Sequence, residues 1–488
     1  MFLQFRQVLV SLALATLTLT LQANGFAARI DTTPGLKGKR YFIEEDGIKR
    51  TVFEHEDTGA TIDFVTNSGI CETTPGVNQY SGYISVGKNM SMWFWFFEAR
   101  HEPETAPFAL WLNGGPGCSS MLGLFEENGP CKFSNNESTP SLNPYSYNEY
   151  ANMLYVDQPI GTGFSYGDDT VNSTVTAAPY VWKLLQVFFA NFPQYECRDF
   201  GLFTESYGGH YGPEFADYFQ SQNAAICDGH LEAEKIDLVA LGINNGWYDA
   251  SIQEKEYINF SRYNSYYPLI NESTYTAYLN ACETQCLPAL QNCTSTTGQL
   301  TECNAAQTAC DIVDTAYGNY YPSFNAYDIR QPGTGPSFPP DTYVAYLHDP
   351  AVMKAIGARS TYTECPEAPS VNFWLTADSS RSFEATLSSV VQSGITTVMF
   401  AGDADSVCDW FGGLACANAV SYPGAPAFRN KEVANYTVNG EVKGTFKSVG
   451  KLSWLRVFDS GHEVPAFQPE LALQVFKQTM QKKGLFST

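Results

Sequence analysis

A serine stands where an apolar segment gives way to glycines and then to a helical pattern. Residues 199–210 read DFGLFTESYGGH, and Ser206 is the serine. In a G-x-S-x-G turn between a strand and a helix, a sharp bend lifts the serine hydroxyl clear of the backbone. The glycines leave room where strand and helix meet, and the helix N-terminus favours negative charge. Thr204 replaces the first glycine of that pattern. The segment predicts a nucleophilic serine, and the alternative is an ordinary turn whose serine does no chemistry.

Two later segments supply the partners that such a serine needs. A serine hydroxyl is a weak nucleophile at neutral pH, so a histidine must accept its proton while a buried carboxylate orients the ring. His462 ends the apolar segment LRVFDSGH, and Asp403 and Asp405 follow the segment VMFAG. We expect Asp405 to orient His462, because Asp403 still lies at the strand end and serves only to fix the loop. His210 follows the serine too closely and is expected to be a helix residue near the site.

Apolar segments of strand length alternate with helical patterns along the chain. Such alternation indicates a mostly parallel sheet with helices on both faces. The order serine, aspartate, histidine is the order found in α/β-hydrolases. We therefore predict an α/β-hydrolase fold, with helices at 180–192 and 469–483 and strands at 82–86, 92–99, 108–112, 153–157, 200–204, 238–243, 396–401 and 452–458.

The first residues have the composition of a secretory signal peptide. An apolar run at 8–21 is followed by small residues near Ala23 and Ala27. We expect residues 1–23 to be removed and residues 24–488 to form one α/β-hydrolase domain. The run is too short to be a good membrane span, and no second span or hydrophobic tail follows. We expect a soluble, secreted protein without a membrane partner, and a vacuole is the alternative destination.

The net charge of the chain limits which kinds of molecule it can bind. Aspartate and glutamate number 51 against 28 lysines and arginines, which gives a formal net charge of −23. Nucleic acids bind to basic patches, so this balance excludes them as partners. It fits an enzyme that stays soluble in acidic surroundings, where carboxylates are partly protonated.

Cysteines and glycosylation sequons fit an extracellular compartment. Thirteen cysteines in a secreted chain imply disulfides, and the odd number leaves at least one thiol. Zinc is the alternative, but paired C-x₂-C motifs and neighbouring histidines are missing, so we expect no metal. Seven N-x-S/T sequons indicate N-linked glycans. They begin at Asn89, Asn136, Asn172, Asn259, Asn271, Asn292 and Asn435.

Residues 250–350 interrupt the alternation of strands and helices. Five cysteines and three of the sequons fall here, together with a loop rich in proline and glycine. We predict an insertion that is held by disulfides and covers the active site. Its cysteines are Cys282, Cys286, Cys293, Cys303 and Cys310.

Nearly the whole of the mature chain resembles the serine carboxypeptidase family. The most specific segment is WLNGGPGCSS at 111–120. The resemblance implies a serine-type exopeptidase that releases C-terminal amino acids from peptides and proteins without a cofactor. Other similar segments are ENGP at 127–130, DQPIGTGFSY at 157–166, ESYGG at 205–209, GINNG at 242–246, the pair Asp405 and Cys408, and GH at 461–462.

The resemblance also implies roles for individual residues. Ser206, Asp405 and His462 form the catalytic triad, and the reaction passes through an acyl-enzyme. The backbone N–H groups of Gly115 and Tyr207 form the oxyanion hole. Two such donors typically lower the barrier by roughly 3 kcal/mol each.

A second implied site holds the free carboxylate of the substrate. It consists of Asn113, Gly114, Glu127 and Glu205, and it uses hydrogen bonds instead of an arginine. Two like charges in a shielded pocket raise one apparent pKa and share a proton. A protonated pair donates a hydrogen bond to the carboxylate, whereas an ionised pair repels it, so acidic pH is expected to favour binding. Without the resemblance, Glu205 would be read as a structural residue of the turn and Glu127 as a helix-end charge.

Cysteine pairing near the site is also implied by the resemblance. Cys118 is expected to bond to Cys365. Cys408 is expected to be a thiol in the substrate pocket, and a bond to the nearby Cys416 is the alternative.

The chain departs from the family pattern at two positions. Asp409 stands where asparagine is frequent, and Glu463 stands where methionine often follows the catalytic histidine. In the family, the residue at the second of these positions lines the pocket that holds the leaving residue. Glu463, with Glu126 nearby, predicts a pocket that accepts basic side chains. The alternative is that Glu463 faces solvent or binds a backbone amide.

Two other functions use the same fold. An acyltransferase would keep the triad, but it does not need the carboxylate-binding set of Asn113, Glu127 and Glu205. A binding protein on an inactive hydrolase fold is opposed by the complete set of Ser206 and its two partners.

Overall fold

The computed structural model of the protein is built on one long β-sheet. It describes residues 37–488 apart from 46, 57, 135–136, 299–300 and 319–322. The expected signal peptide and the sequon at Asn136 lie outside the described residues. In the described part of the chain, no helix combines the length and the apolar character that a membrane span requires.

The strands of this sheet do not follow their chain order. Across the sheet they lie in the order β1-β2-β3-β4-β5-β7-β6-β8-β9-β10-β13-β12-β11. Their bounds are β1 (Gly38–Glu45), β2 (Ile48–His55), β3 (Thr61–Thr66), β4 (Gln79–Gly87), β5 (Met90–Phe97), β6 (Phe108–Leu112), β7 (Asn152–Val156), β8 (Phe200–Glu205), β9 (Leu238–Asn244), β10 (Thr396–Gly402), β11 (Ala434–Val438), β12 (Glu441–Val449) and β13 (Leu452–Val457).

The centre of the sheet is parallel and its flanks are antiparallel. The run β7-β6-β8-β9-β10-β13 pairs in parallel throughout. The meander β1 to β5 and the hairpin β11-β12 pair antiparallel. The predicted α/β-hydrolase fold is confirmed, and each of the eight predicted strands is present within a few residues of its expected bounds.

Helices lie against the sheet. Those of nine or more residues are α1 (Thr174–Asn191), α2 (Gly208–Cys227), α3 (Ala250–Tyr263), α4 (Glu272–Ala281), α5 (Thr301–Gly318), α6 (Glu367–Leu375), α7 (Glu384–Gln392), α8 (Trp410–Ala419) and α9 (Pro469–Met480). Shorter ones are Leu287–Leu290, Thr342–Leu347, Pro350–Ile356, Ala425–Asn430 and Val464–Phe467.

Alternate residues of the central strands enter two separate cores. In β5, Phe94 and Phe96 pack with Phe188 of α1 on one face. Trp93 and Trp95 belong to the core of the other face, which also contains side chains of α9. Because successive side chains of a strand point to opposite faces, one strongly apolar strand supplies both cores.

Four functional segments leave the sheet at one edge. Asn113 follows β6, Ser206 follows β8, Asp405 follows β10 and His462 follows β13. These strands are parallel, so their carboxyl ends meet at the same edge, where open α/β sheets place their ligands.

Disulfides hold the segment between 250 and 350 as expected. Cys286 bonds to Cys310 and Cys293 bonds to Cys303, while Cys282 is a buried free thiol. The carboxylate of Glu254 lies close to the sulfurs of Cys286 and Cys310, but those sulfurs are bonded to each other. They are therefore not thiolate ligands for a metal.

Two further disulfides lie outside that segment. Cys71 bonds to Cys131, and Cys118 bonds to Cys365 as the resemblance implied. Cys408 and Cys416 are both buried free thiols, so the alternative bond between them is not formed.

Candidate active site

Ser206 occupies a backbone conformation that residues with a side chain rarely adopt. It lies between β8 and α2 with φ of 61°. Such a conformation costs about 1–3 kcal/mol and persists only where the surroundings enforce it. Here the Ser206 N–H donates to the carbonyl of Asn244 at 3.0 Å, and its carbonyl accepts from the N–H of Trp247 at 2.9 Å. The turn therefore has the form of a nucleophile elbow.

Thr204 fills the position where the usual motif has glycine. Its hydroxyl donates to the carbonyl of Gly208 at 2.8 Å. A Cβ on Gly208 would come within 2.5 Å of the Thr204 Cβ. The larger side chain on the strand is thus accommodated because the facing helix residue has none.

His462 and Asp405 form a buried hydrogen-bonded pair. His462 Nδ1 lies 2.7 Å from Asp405 Oδ2, and Asp405 is fully buried. The carboxylate also accepts from Asn245 Nδ2 at 2.7 Å and from the amides of Val407 at 2.8 Å and Cys408 at 3.1 Å. These donors fix the carboxylate, and His462 lines the same cavity as Ser206.

The two competing candidates lie elsewhere. Asp403 accepts from Tyr266 Oη at 2.6 Å and from Arg456 Nη2 at 3.0 Å. His210 is buried behind the elbow, where its Nδ1 lies 2.5 Å from the carbonyl of Trp247. Neither side chain is positioned to take the place of Asp405 or His462.

Neighbouring carboxylates control the charge of His462. Burial lowers the pKa of the imidazole, but the charge and hydrogen bond of Asp405 raise it, and Glu205 and Glu463 add to the rise. The pKa of His462 is therefore raised above its ordinary value. Because part of the rise comes from Glu205 and Glu463, protonation of these two carboxyls weakens the hold of His462 on its own proton.

Two cavities meet at Ser206. One, of about 400 Å³, is lined by Asn113, Glu205, His462 and Glu463 among others. The second, of about 320 Å³, is lined by residues that include Tyr207, Trp247, Glu254 and Cys408. We call them the carboxyl cavity and the acyl cavity. A substrate bound across Ser206 would have its two sides in different surroundings.

Two backbone amides beside Ser206 are available to a ligand. Among the hydrogen bonds of the described residues, none uses the N–H of Gly115 or of Tyr207. Gly115 has φ of 108°, a conformation suited to glycine. A Cβ on Gly114 would lie 2.4 Å from the nitrogen of Tyr207. The glycines thus let the two backbone segments approach each other at the nucleophile.

Glu127 and Glu205 form a buried carboxyl pair. Each is 2% exposed, and Asn113 Nδ2 reaches Glu127 Oε1 at 3.3 Å and Glu205 Oε1 at 3.0 Å. Burial raises the pKa of Glu127 to about 8. Burial and the neighbouring Glu127 raise the pKa of Glu205. The Asn113 amide thus contacts both carboxyl groups, and two like charges so close in a buried pocket favour a shared proton.

The surrounding amides set the orientation of this pair. Asn113 Oδ1 accepts from Trp111 Nε1 at 2.7 Å and from the amide of Gly123 at 3.0 Å, so its NH₂ group must face the glutamates. Asn244 Nδ2 donates to Glu205 Oε2 at 2.7 Å and to the carbonyl of His462 at 2.9 Å.

Asn244 and Asn245 were not assigned a role from the sequence. Asn244 contacts Glu205, and Asn245 contacts Asp405. The available signal was the segment GINNG at the end of an apolar strand, a position where polar residues often reach a ligand site.

Additional acidic side chains line the carboxyl cavity. They are Glu126, Asp341, Glu364 and Glu463, and the described lining of this cavity includes no lysine or arginine. Burial raises the pKa of Glu463 to about 8. Burial raises the pKa of Glu126 strongly, and the charge of Glu463 raises it further.

Cys408 is a thiol of the acyl cavity. It is buried and lines this cavity together with Ser206. Burial raises the pKa of this thiol, and the charges of Asp405 and Asp409 raise it further. The group is therefore a neutral thiol, which is a poor nucleophile.

A strained serine on an elbow, a histidine and aspartate pair, and free amides at the edge of a parallel sheet define a serine hydrolase of the α/β-hydrolase fold. Residues 69–482 match the model of the family described as serine carboxypeptidase. The chain belongs to that family, and it is a hydrolase of the exopeptidase type.

Individual relatives support this assignment. The chain is 59% identical over 425 residues to Carboxypeptidase S1 of Penicillium janthinellum, covering 87% of this chain and 100% of the relative. It is 35% identical over 398 residues to Carboxypeptidase Y of Komagataella phaffii, covering 80% and 74%. The fold is similar to that of Kex1, a prohormone-processing carboxypeptidase from Saccharomyces cerevisiae, with a TM-score of 0.72, 22% identity and coverage of 86% and 96%.

Buried carboxyl groups make the stability of the fold depend on pH. Burial raises the pKa of Glu127 and Asp409 to about 8 and that of Asp157 to about 7. In the unfolded chain such groups titrate near pH 4. The folded protein therefore holds more protons than the unfolded chain between these limits. The contribution of these three groups to the free energy of unfolding is therefore fully present below the unfolded pKa and is lost as pH rises to about 8.

We predict that Asp409→Asn makes this decline shallower. Asp409 is 3% exposed and accepts from the Gly412 amide at 3.0 Å at the start of α8. Asparagine also caps helices well, so the variant removes the titration and keeps the cap. The measurement is Tm against pH, with Asp349→Asn at the exposed start of the helix Pro350–Ile356 as control. Equal slopes for wild type and Asp409→Asn would contradict the prediction.

Proposed function

We propose that the chain removes single C-terminal residues from peptides and proteins through an acyl-enzyme on Ser206. Its Oγ bonds to the scissile carbonyl carbon while its proton passes to His462, and Asp405 stabilises the imidazolium. The N–H groups of Gly115 and Tyr207 bind the oxyanion. Breakage of the C–N bond transfers the proton to the leaving amine. Water, deprotonated by His462, then releases the acyl group from Ser206.

The buried carboxyl pair, of which Glu205 lines the carboxyl cavity beside Ser206, is the observation that carries this proposal. A leaving residue with a free carboxylate, seated in the carboxyl cavity, meets the amide of Asn113 and the shared proton of Glu127 and Glu205. A peptide that continues past this point has no carboxylate to offer and meets buried acids instead. The remainder of the substrate lies in the acyl cavity. This division supports an exopeptidase over an endopeptidase.

Because the carboxyl pair must keep a proton, the proposed activity is expected at acidic pH. Net charge of −23 and the raised pKa values around the cavity fit an enzyme that works where carboxyls keep protons. Secretion supports such a setting, as do the sequons. The side chains of Asn89, Asn172, Asn271, Asn292 and Asn435 are exposed. We propose a secreted, N-glycosylated enzyme, with a vacuole as the alternative destination.

Replacement of the nucleophile tests the proposal directly. We predict that Ser206→Ala folds with an unchanged Tm and releases no C-terminal amino acid from blocked dipeptides. A fluorophosphonate should label Ser206 in the wild type and leave the variant unlabelled. Ser379→Ala, which alters another serine of the acyl cavity, is the control and should still be labelled. Turnover by folded Ser206→Ala would refute the assignment.

The carboxyl pair predicts a specific pH dependence. Peptide binding requires a proton on the pair, so KM should rise as pH passes through the range where that proton is lost, near 8 for Glu127. Peptide amides, which lack the carboxylate, should show a smaller change in KM. In Glu127→Gln the amide is uncharged at every pH, so the KM of peptides should become nearly independent of pH. If acids and amides lose binding together in the wild type, the pair does not recognise the carboxylate.

We also propose that the carboxyl cavity prefers basic leaving residues. Glu463 and Glu126 line its wall together with Asp341 and Glu364. A carboxylate in a partly desolvated site is unfavourable without a partner, and an incoming lysine or arginine supplies one. Burial raises the pKa of Glu463 to about 8. A bound cation would lower this pKa, so that Glu463 would lose its proton and pair with the cation.

We predict that Glu463→Met reduces this preference. For blocked dipeptides ending in Arg or Lys, kcat/KM should fall relative to those ending in Leu or Phe. The fall should correspond to roughly 1–3 kcal/mol of activation free energy. Asp341→Asn is the control, because Asp341 is exposed at the cavity rim and its charge is screened by solvent. An unchanged ratio of Arg to Leu substrates in Glu463→Met would remove Glu463 from the determinants of specificity.

A further inference from the structure

A fully buried carboxyl group binds the residue that follows the nucleophile. Asp378 lies between α6 and α7 and is 0% exposed. Its Oδ2 accepts from Tyr207 Oη at 2.8 Å, from Thr174 Oγ1 at 2.6 Å and from the amide of Thr174 at 3.1 Å. Three donors thus converge on one oxygen, and one of them belongs to the elbow.

The nearby cation does not compete for this carboxyl group. Arg381 is buried beside it, but the guanidinium donates to the backbone carbonyls of Thr376 and Ser295. His210 directs its Nδ1 to the carbonyl of Trp247. In the described part of the chain, Asp378 Oδ2 therefore accepts hydrogen bonds from Tyr207 and Thr174.

Tyr207 links this carboxyl group to the reacting atoms. Its amide is one of the two free N–H groups beside Ser206, whereas its hydroxyl lies at the opposite end of the residue on Asp378. The ring between them is buried, with its centroid 4.7 Å from that of His210 and 6.0 Å from that of Phe373. A fixed ring restrains the backbone to which it is attached, and with it the direction of the amide.

A second connection joins the elbow to the same segment. The amide of Trp247 donates to the carbonyl of Ser206 at 2.9 Å, and Trp247 Nε1 donates to the carbonyl of Ser379 at 2.9 Å. Ser379 follows Asp378 directly and lines the acyl cavity. The elbow is thus held to the segment at 378–379 from both sides, through Tyr207 and through Trp247.

We propose that Asp378 is a positioning residue that sets the direction of the Tyr207 amide, and so the stabilisation of the oxyanion, through the phenol of Tyr207. The inference rests on the oxyanion role proposed above for that amide. Asp378 contacts neither substrate nor the reacting atoms. Its effect falls on the transition state and on tetrahedral adducts of Ser206, because the bound substrate carries no oxyanion before they form.

Tyr207→Phe isolates this link, since it removes one hydroxyl and keeps the amide and the ring. We expect kcat on peptides and on esters to fall by roughly 10- to 100-fold, the range expected when a catalytic group is displaced. KM should change by less than about 2-fold, because ground-state contacts are kept. Affinity for a blocked amino-acid aldehyde, whose adduct with Ser206 carries the same oxyanion, should fall in parallel with kcat.

Thr174→Val is the matched control. It removes a hydrogen bond to the same oxygen of Asp378 and keeps the bond between Tyr207 and Asp378, so it should lower Tm and leave kcat and aldehyde affinity unchanged. Asp378→Asn keeps an oxygen that can accept from Tyr207 and should retain most of kcat, whereas Asp378→Ala should match Tyr207→Phe.

Wild-type kcat and aldehyde affinity in folded Tyr207→Phe would overturn the inference. An equal loss of kcat in Thr174→Val and Tyr207→Phe would also overturn it, because the effect would then follow stability alone. The proposed function is tested separately by Ser206→Ala, whose failure to abolish turnover would remove the triad and not merely the positioning residue.

Discussion

The site depends on one residue being held in a conformation that it would not adopt alone. Ser206 keeps its positive φ because a backbone bond on each side, to Asn244 and to Trp247, fixes it between a strand and a helix. Those bonds exist because β8 and β9 lie side by side in the parallel centre of the sheet. The missing side chain at Gly114 then brings a second backbone segment against Tyr207. The strained backbone of Ser206 is thus supported by pairing in the sheet and by close backbone packing.

The protonation of the carboxyl pair affects the protonation of His462. Glu205 takes part in the carboxyl pair, and its charge also helps to keep His462 protonated. A proton on the pair therefore has two effects in the same direction. In the proposed mechanism it provides a donor for a substrate carboxylate, and it removes a charge that opposes the imidazole acting as a base. Several buried carboxylate charges close together would destabilise the site at neutral pH. At acidic pH the carboxyl groups keep their protons, and that cost is removed.

The centre of the fold was predictable because its signals are local. Central strands are buried on both faces and form continuous apolar runs, which is why the strand before Ser206 and the strand before His462 were found from the sequence. The flanking strands β1, β2 and β12 mix charged with apolar residues on half-exposed surfaces. Their pattern does not differ enough from that of loops, so they were missed.

The site was predictable to the extent that its residues follow strands. Asp405, and not Asp403, reaches His462, as the loop position indicated. The resemblance to a family supplied Glu127 and Cys365, since no spacing rule places them beside Ser206. Neither source pointed to Asp378, because it is about 170 residues from Tyr207 in sequence and its surroundings have no motif. Contacts of this kind arise only from the folded arrangement of α6, α7 and the elbow.

The disulfide between Cys118 and Cys365 joins chemistry to the oxidation state of the surroundings. Cys118 follows the glycines that carry a free amide at Ser206, and Cys365 follows Glu364 in the wall of the carboxyl cavity. The bond closes a loop across 247 residues of sequence, which restricts the unfolded chain and fixes this wall to the glycine segment. Without this covalent bond, the two segments would still be joined by the hydrogen bond from the Ser119 amide to the Glu364 carbonyl at 2.8 Å. Because a disulfide persists in oxidising compartments, the wall of the carboxyl cavity is cross-linked to the glycine segment only where thiols are oxidised.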